Sequence, residues 1–150
     1  MRILSVDYGK KRTGLAVTDS LQLVAGGLVT VATSELLAYL RDYLQKEEVE
    51  TIVVGEPWQP NGQPSENLPR VKSFVGRLKS ELTKMREEGT LHHDVNIEWY
   101  DERFTSVLAH QTMLASGIGK KARQNKALVD EISATIILQD YMNSKRNLPL

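Results

Sequence analysis

Thr51, Ile52, Val53 and Val54 form an unbroken β-branched run closed by Gly55 and Pro57. A strand with one face in water alternates apolar and polar residues, whereas one without alternation is covered on both faces. Helices must therefore pack on both sides of a sheet, and 150 residues suit one such domain, spanning 1–150. The other elements fall around this strand. Residues 2–7 and the apolar run at 15–17, joined by a Gly-containing connection, predict an antiparallel hairpin. Residues 23–31 predict a third strand, with a bulge or bend at Gly26 and Gly27. Ser34 is placed to cap a helix running to about Lys46, with Leu36, Leu37, Leu40 and Leu44 on one face.

After the strand at 51–54, the Pro-, Gly- and Asn-rich segment 58–65 predicts an exposed loop. A helix over about 66–88 follows, with Val71, Phe74, Val75, Leu78 and Leu82 on its apolar side. A strand at 95–100 and two helices, about 105–116 and 121–143, separated by Gly117 and Gly119, complete the order. The expected fold class is α/β: a mixed five-stranded sheet, its first three strands antiparallel and the rest parallel, flanked by helices, with strand one central.

Composition removes several kinds of chemistry. The chain has no cysteine, so disulfides, thiolate zinc sites and a cysteine nucleophile are excluded, and a reducing cytoplasm is the expected setting. No apolar run approaches the roughly 20 residues that span a bilayer, so no membrane partner is expected. Asp7 interrupts what would be a signal peptide's apolar stretch, so the N-terminus reads as a strand. Lys plus Arg equals Asp plus Glu at 19 each. Nucleic-acid binders usually carry a basic surplus, so a basic face here must be local, as at Lys10, Lys11 and Arg12 or at Lys120, Lys121, Arg123 and Lys126.

Three acidic positions could share one edge. Asp7 ends the first strand, Asp101 and Glu102 follow the strand at 95–100, and Asp130 lies four residues from both Lys126 and Ala134 on the last helix. Ligand sites of open α/β sheets form beyond the strand ends. Carboxylates gathered there repel one another, and a hard divalent cation resolves the repulsion. Taken singly, each acid also has a structural reading. Asp7 can close a turn, Asp101 and Glu102 can face a helix N-terminus, and Asp130 can pair with Lys126.

Four segments in order, VDYGKKRTGLAV, VVGEP, YDERFTS and KALVDEISATIILQDY, resemble the signature blocks of the YqgF family, also called RuvX-type, from residue 6 to residue 141. The family is described by Holliday junction resolution and by pre-16S rRNA processing, on a ribonuclease H-like fold. The resemblance implies a metal-dependent nuclease for pre-rRNA or branched DNA, with magnesium or manganese held by Asp7, Glu102 and Asp130, which are also the implied catalytic residues. It implies substrate contacts from Lys11, Arg12, Arg103 and Lys126, and places Gly9 and Gly14 in the first motif, where a phosphate could approach closely. Ribosomal particles are implied partners, and a homodimer would suit symmetric cutting of two strands. Arg12 and Arg103 carry planar forks suited to phosphate oxygens. Thr105 and Ser106 read as caps of the helix that follows.

Glu56 stands where the family motif has a small apolar residue, so Glu56 and Asp101 remain alternatives or supplements to Glu102 as the middle ligand. Ser133 and Ala134 replace two alanines, a packing change. His92, His93 and Asp94 lack ligand spacing and read as surface, and Trp58 is open between stacking on a base and covering the core edge. Two rival functions stand beside the nuclease. DYGKKRTG also resembles the phosphate-binding turn of actin-like ATPases, and a non-catalytic RNA-binding or ribosome-associated module would keep the basic groups.

Overall fold

The computed structural model describes residues 1–102 and 126–146, with side chains for 1–102 and 129–145. Its strands are β1 (Arg2–Tyr8), β2 (Arg12–Thr18), β3 (Ala25–Ala32), β4 (Val49–Glu56) and β5 (Asn96–Asp101). Among the described residues the α-helices are α1 (Leu36–Lys46), α2 (Leu68–Glu88) and α3 (Lys126–Arg146). The five strands make one sheet in the order β3-β2-β1-β4-β5. β1 runs antiparallel to β2, which runs antiparallel to β3, while β4 is parallel to both β1 and β5. Strand one is central, as the sequence predicts. The helix expected at 105–116, together with Arg103, Thr105 and Ser106, lies outside the described residues.

Local chemistry accounts for most boundaries. The expected disturbance at the glycine pair is a bulge: Leu15 pairs with Val29 and Ala16 with Gly27, leaving Leu28 as the extra residue. Pro69 sits in the first turn of α2, where its missing N–H costs no helical bond, and Gly89 closes the helix at φ 78°, a conformation that favours glycine. The expected Ser34 cap is not made. A 3-10 turn over Thr33–Glu35 leads into α1, and neither element has a side-chain capping bond. Thr33 ties this turn to the β1–β2 connection: its hydroxyl donates to the Gly9 carbonyl at 2.7 Å and lies 2.9 Å from the Thr13 hydroxyl.

Alternation along the strands divides the sheet into two faces. Leu4, Val6, Leu15, Ile52 and Val54 pack with Leu36, Leu40 and Leu44 of α1 and Val71, Phe74 and Leu78 of α2. Ile3, Ala16 and Val53 face the other way, against Ala134, Ile137, Leu138, Tyr141 and Met142 of α3. No helix among the described residues is long and apolar enough to cross a membrane.

Candidate active site

Asp7 lies one residue before the end of β1, in the series Ile3, Ser5, Asp7 that faces α3. Ser5 fixes the distance between strand and helix, because its buried hydroxyl donates to the Ala134 carbonyl at 2.6 Å. Asp7 pairs in the sheet with Gly14 of β2. A β-carbon at Gly14 would stand 2.2 Å from the Asp130 carbonyl oxygen. Glycine is therefore required for α3 to come down onto the sheet beside Asp7. The sequence suggests phosphate approach at Gly14, whereas its place in the fold is helix approach. Gly9 has a comparable role within the chain turn, where a β-carbon would meet the Arg12 carbonyl oxygen at 2.2 Å.

Glu102 continues the β5 series Glu98, Tyr100 that faces α3, and its backbone N–H donates to the Glu56 carbonyl at 3.1 Å. Its side chain lies over Gly55, where a β-carbon would come within 2.0 Å of Glu102 Oε1. The carboxyl groups of Glu102 and Asp7 are hydrogen-bonded to each other. Burial, then the Asp7 charge, pushes the Glu102 carboxyl up to about 9. Burial also raises Asp7, to about 6, with the Asp130 charge adding to the rise and the Glu102 hydrogen bond opposing it. Both carboxyls are thus held above their ordinary values, and the pair favours keeping a proton between them. Sharing one proton is how two crowded carboxylates relieve their repulsion in the absence of a cation.

Asp130 completes the acidic edge from α3. Its Oδ2 lies 3.3 Å from Arg12 Nε, both side chains being partly exposed. Among the described residues no three acidic or histidine side chains stand as a ready-made metal cage. Asp7 and Glu102 touch, and Asp130 acts on Asp7 through its charge while facing Arg12. The donor set is all carboxylate oxygen, which suits a hard divalent cation. Gly14 and Gly55 supply the clearance that brings Asp130 and Glu102 to Asp7, so the residues fit such an ion once Asp130 turns from Arg12.

The other sequence candidates separate clearly. Glu56 faces away from Asp7 in the β4 alternation, and its carboxylate accepts from the Trp58 indole N–H. Trp58 is half-buried and bridges to Pro64, closing the 57–65 loop. Lys11 is exposed beside Arg12. Lys126 begins α3, and its side chain lies outside the described atoms. His93, read as surface, is half-buried and meets the Val49 carbonyl at 2.9 Å, while Asp94 pairs with Arg86 at 3.2 Å. Neither belongs to the acidic edge. Sequence reading missed the role of Gly55; its signal was a glycine ending a buried β-branched run.

The five-strand order, the helices on both faces and acids converging from the ends of β1 and β5 and from α3 define a ribonuclease H-like domain. The Thermus thermophilus RuvC structure superimposes over 100% of both chains with a TM-score of 0.57 at 18% identity, a likeness of fold. The RuvX family model, described as Holliday junction resolvase, matches residues 1–144, and the chain belongs to that family of nucleases. A Phocaeicola vulgatus protein named "Putative pre-16S rRNA nuclease" is 56% identical over 145 residues, covering 97% of each chain. A Bacteroides fragilis protein of the same name is 53% identical over 145 residues, covering 97% of this chain and 98% of the relative.

Proposed function

We propose that this chain hydrolyses phosphodiester bonds in structured nucleic acid, and that its substrate is the 5′ end of pre-16S rRNA on maturing ribosomal particles in the cytoplasm. The single observation that carries this reading is the Asp7–Glu102 pair with Asp130 beside it, gathered on one rim by Gly14 and Gly55. The names of the relatives support the rRNA substrate. The family description supports a second reading, resolution of branched DNA during recombination and repair, for which a homodimer would supply two cutting centres.

Asp7, Glu102 and Asp130 are the residues that would hold magnesium or manganese. When bound there, such an ion supplies charge neutralisation at the scissile phosphate and an activated water. The remaining work falls to the chain. Asp7 and Glu102 would have to give up the proton between them before offering carboxylate oxygens to such an ion. Arg12 releases Asp130 and offers its guanidinium N–H groups to a phosphate oxygen. Lys11, Arg103 and Lys126 are proposed as further phosphate contacts that orient the substrate.

The test is cleavage of a pre-16S 5′-leader transcript and of a synthetic four-way DNA junction by wild type and by Asp7→Asn, with binding measured in parallel. The nuclease reading expects the variant to lose cleavage by about 10²-fold or more while keeping its affinity. Absence of wild-type cleavage on both substrates, with binding intact, would favour a non-catalytic module. Cleavage of the junction alone would move the assignment to the second reading.

A further inference from the structure

Asp7 and Tyr8 are consecutive, so they face opposite sides of the sheet. Tyr8 turns toward α2, where its ring stacks on Phe74 with centroids 5.0 Å apart. Its carbonyl accepts from Asn67 Nδ2 at 2.8 Å, which ties the end of β1 to the start of α2. Beside Tyr8 lies an open depression of about 310 Å³ lined by Pro69, Arg70, Ser73 and Arg77. Arg70 and Arg77 are seven residues apart, so they lie on one flank of α2, about 10 Å apart along its axis. Both are exposed, and neither has an ion-pair partner among the described residues.

Farther along the same flank, Glu81 and Glu88 are paired with Arg41 at 2.5 and 2.8 Å. There is no acid between residues 67 and 80. The flank is therefore positive only where it approaches the end of β1. A zero net charge makes this local surplus informative, because the whole molecule supplies no general attraction for polyanions.

We propose that Arg70, Ser73 and Arg77 form a second phosphate-binding subsite, which takes the backbone of the substrate arm leading away from the scissile bond. The sugar-phosphate chain would pass over the end of β1, from the acidic rim on the α3 face to the basic depression on the α2 face. Two arginine forks and a hydroxyl match phosphate oxygens and read no base. The subsite acts on affinity and register, and Tyr8 is the step between the two faces. This inference rests on the nuclease reading.

The test measures binding of a fluorescent RNA hairpin carrying a single-stranded tail, and of its DNA counterpart, to Asp7→Asn protein across a salt series. Arg70→Gln/Arg77→Gln in that background is expected to weaken binding more than tenfold at about 0.1 M salt. Its plot of log affinity against log salt should be shallower by about 1.8, as two lost phosphate contacts require. Lys72→Gln/Lys79→Gln is the charge-matched control on the same helix. Those lysines are rotated about 160° from the arginines and should change the slope by less than half as much. Equal slopes for the two double variants would overturn the subsite while leaving the nuclease reading intact. If Asp7→Asn binds neither probe and wild type cleaves neither, the nuclease reading fails and the subsite with it.

Discussion

Along β1, Leu4, Val6 and Tyr8 point to α1 and α2, whereas Ile3, Ser5 and Asp7 point to α3. The same alternation runs through its neighbours. β2 sends Leu15 to the first face and Gly14 and Ala16 to the second; β4 sends Ile52 and Val54 to the first and Val53 and Gly55 to the second. The α1–α2 face is filled with large apolar side chains, Phe74, Leu4 and Leu78 being almost wholly buried. The α3 face uses glycine, alanine and serine to bring a helix backbone close, and it places two carboxyls where burial raises both and favours a proton held between them. One face stabilises the fold, and the other uses part of that stability to keep like charges together.

This contrast can be broken at several points. Phe74→Ala should cost about 3–5 kcal/mol, the usual loss for a buried aromatic, measured by denaturant unfolding. The folded fraction should keep its affinity for manganese. A comparable drop in cation affinity would show that the two faces are not separable.

Gly14→Ala should be next in size, because the added methyl group meets the Asp130 backbone oxygen rather than a side chain that can swing aside. About 1–3 kcal/mol is expected from such overpacking, together with weaker cation binding as α3 is pushed off the sheet. Unchanged stability would mean that the Asp130 backbone does not crowd Gly14 and that α3 sits farther from β2.

The carboxyl pair gives the face a pH signature. Glu102 and Asp7 keep protons in the folded state that the unfolded chain releases near 4.5 and 3.8, its ordinary values. Between those values and about 9 the folded state binds more protons, so unfolding free energy falls as pH rises. Metal-free protein should lose Tm between pH 5 and pH 9, and Glu102→Gln should flatten that slope. A Tm that rises across this range in the wild type would contradict the pairing.

Gly55→Ala should have a smaller effect on stability than Gly14→Ala, about 1 kcal/mol, because its methyl group meets the Glu102 side chain, which can turn away, rather than backbone. Its effect on cleavage should nonetheless be large, since Glu102 must leave Asp7. Cleavage at the wild-type rate would remove Glu102 from the site.

The central place of strand one, the antiparallel start of the sheet and its helix-covered faces were legible because the TIVV run and the hairpin spacing depend on local pattern. The convergence of Asp7 and Asp130 was legible only through the motif resemblance, since nothing local reports that a helix some 120 residues on descends onto β2. The choice among Glu56, Asp101 and Glu102 could not be made from sequence. Glu56 is set apart from Glu102 by the side of the sheet each faces and by a hydrogen bond from Trp58, both of which follow from register. The capping role given to Ser34 failed because a 3-10 turn, tied down by Thr33, intervenes before α1.

The convergence of acids on one rim is tested most directly by calorimetric titration of manganese into wild type, Asp7→Asn and Asp130→Asn at pH 7, in buffers of differing ionisation enthalpy. Wild type should bind the ion and release about one proton per ion, the one held between Asp7 and Glu102. Both variants should bind far more weakly. Manganese binding of equal strength in all three proteins, or none in wild type, would contradict the account.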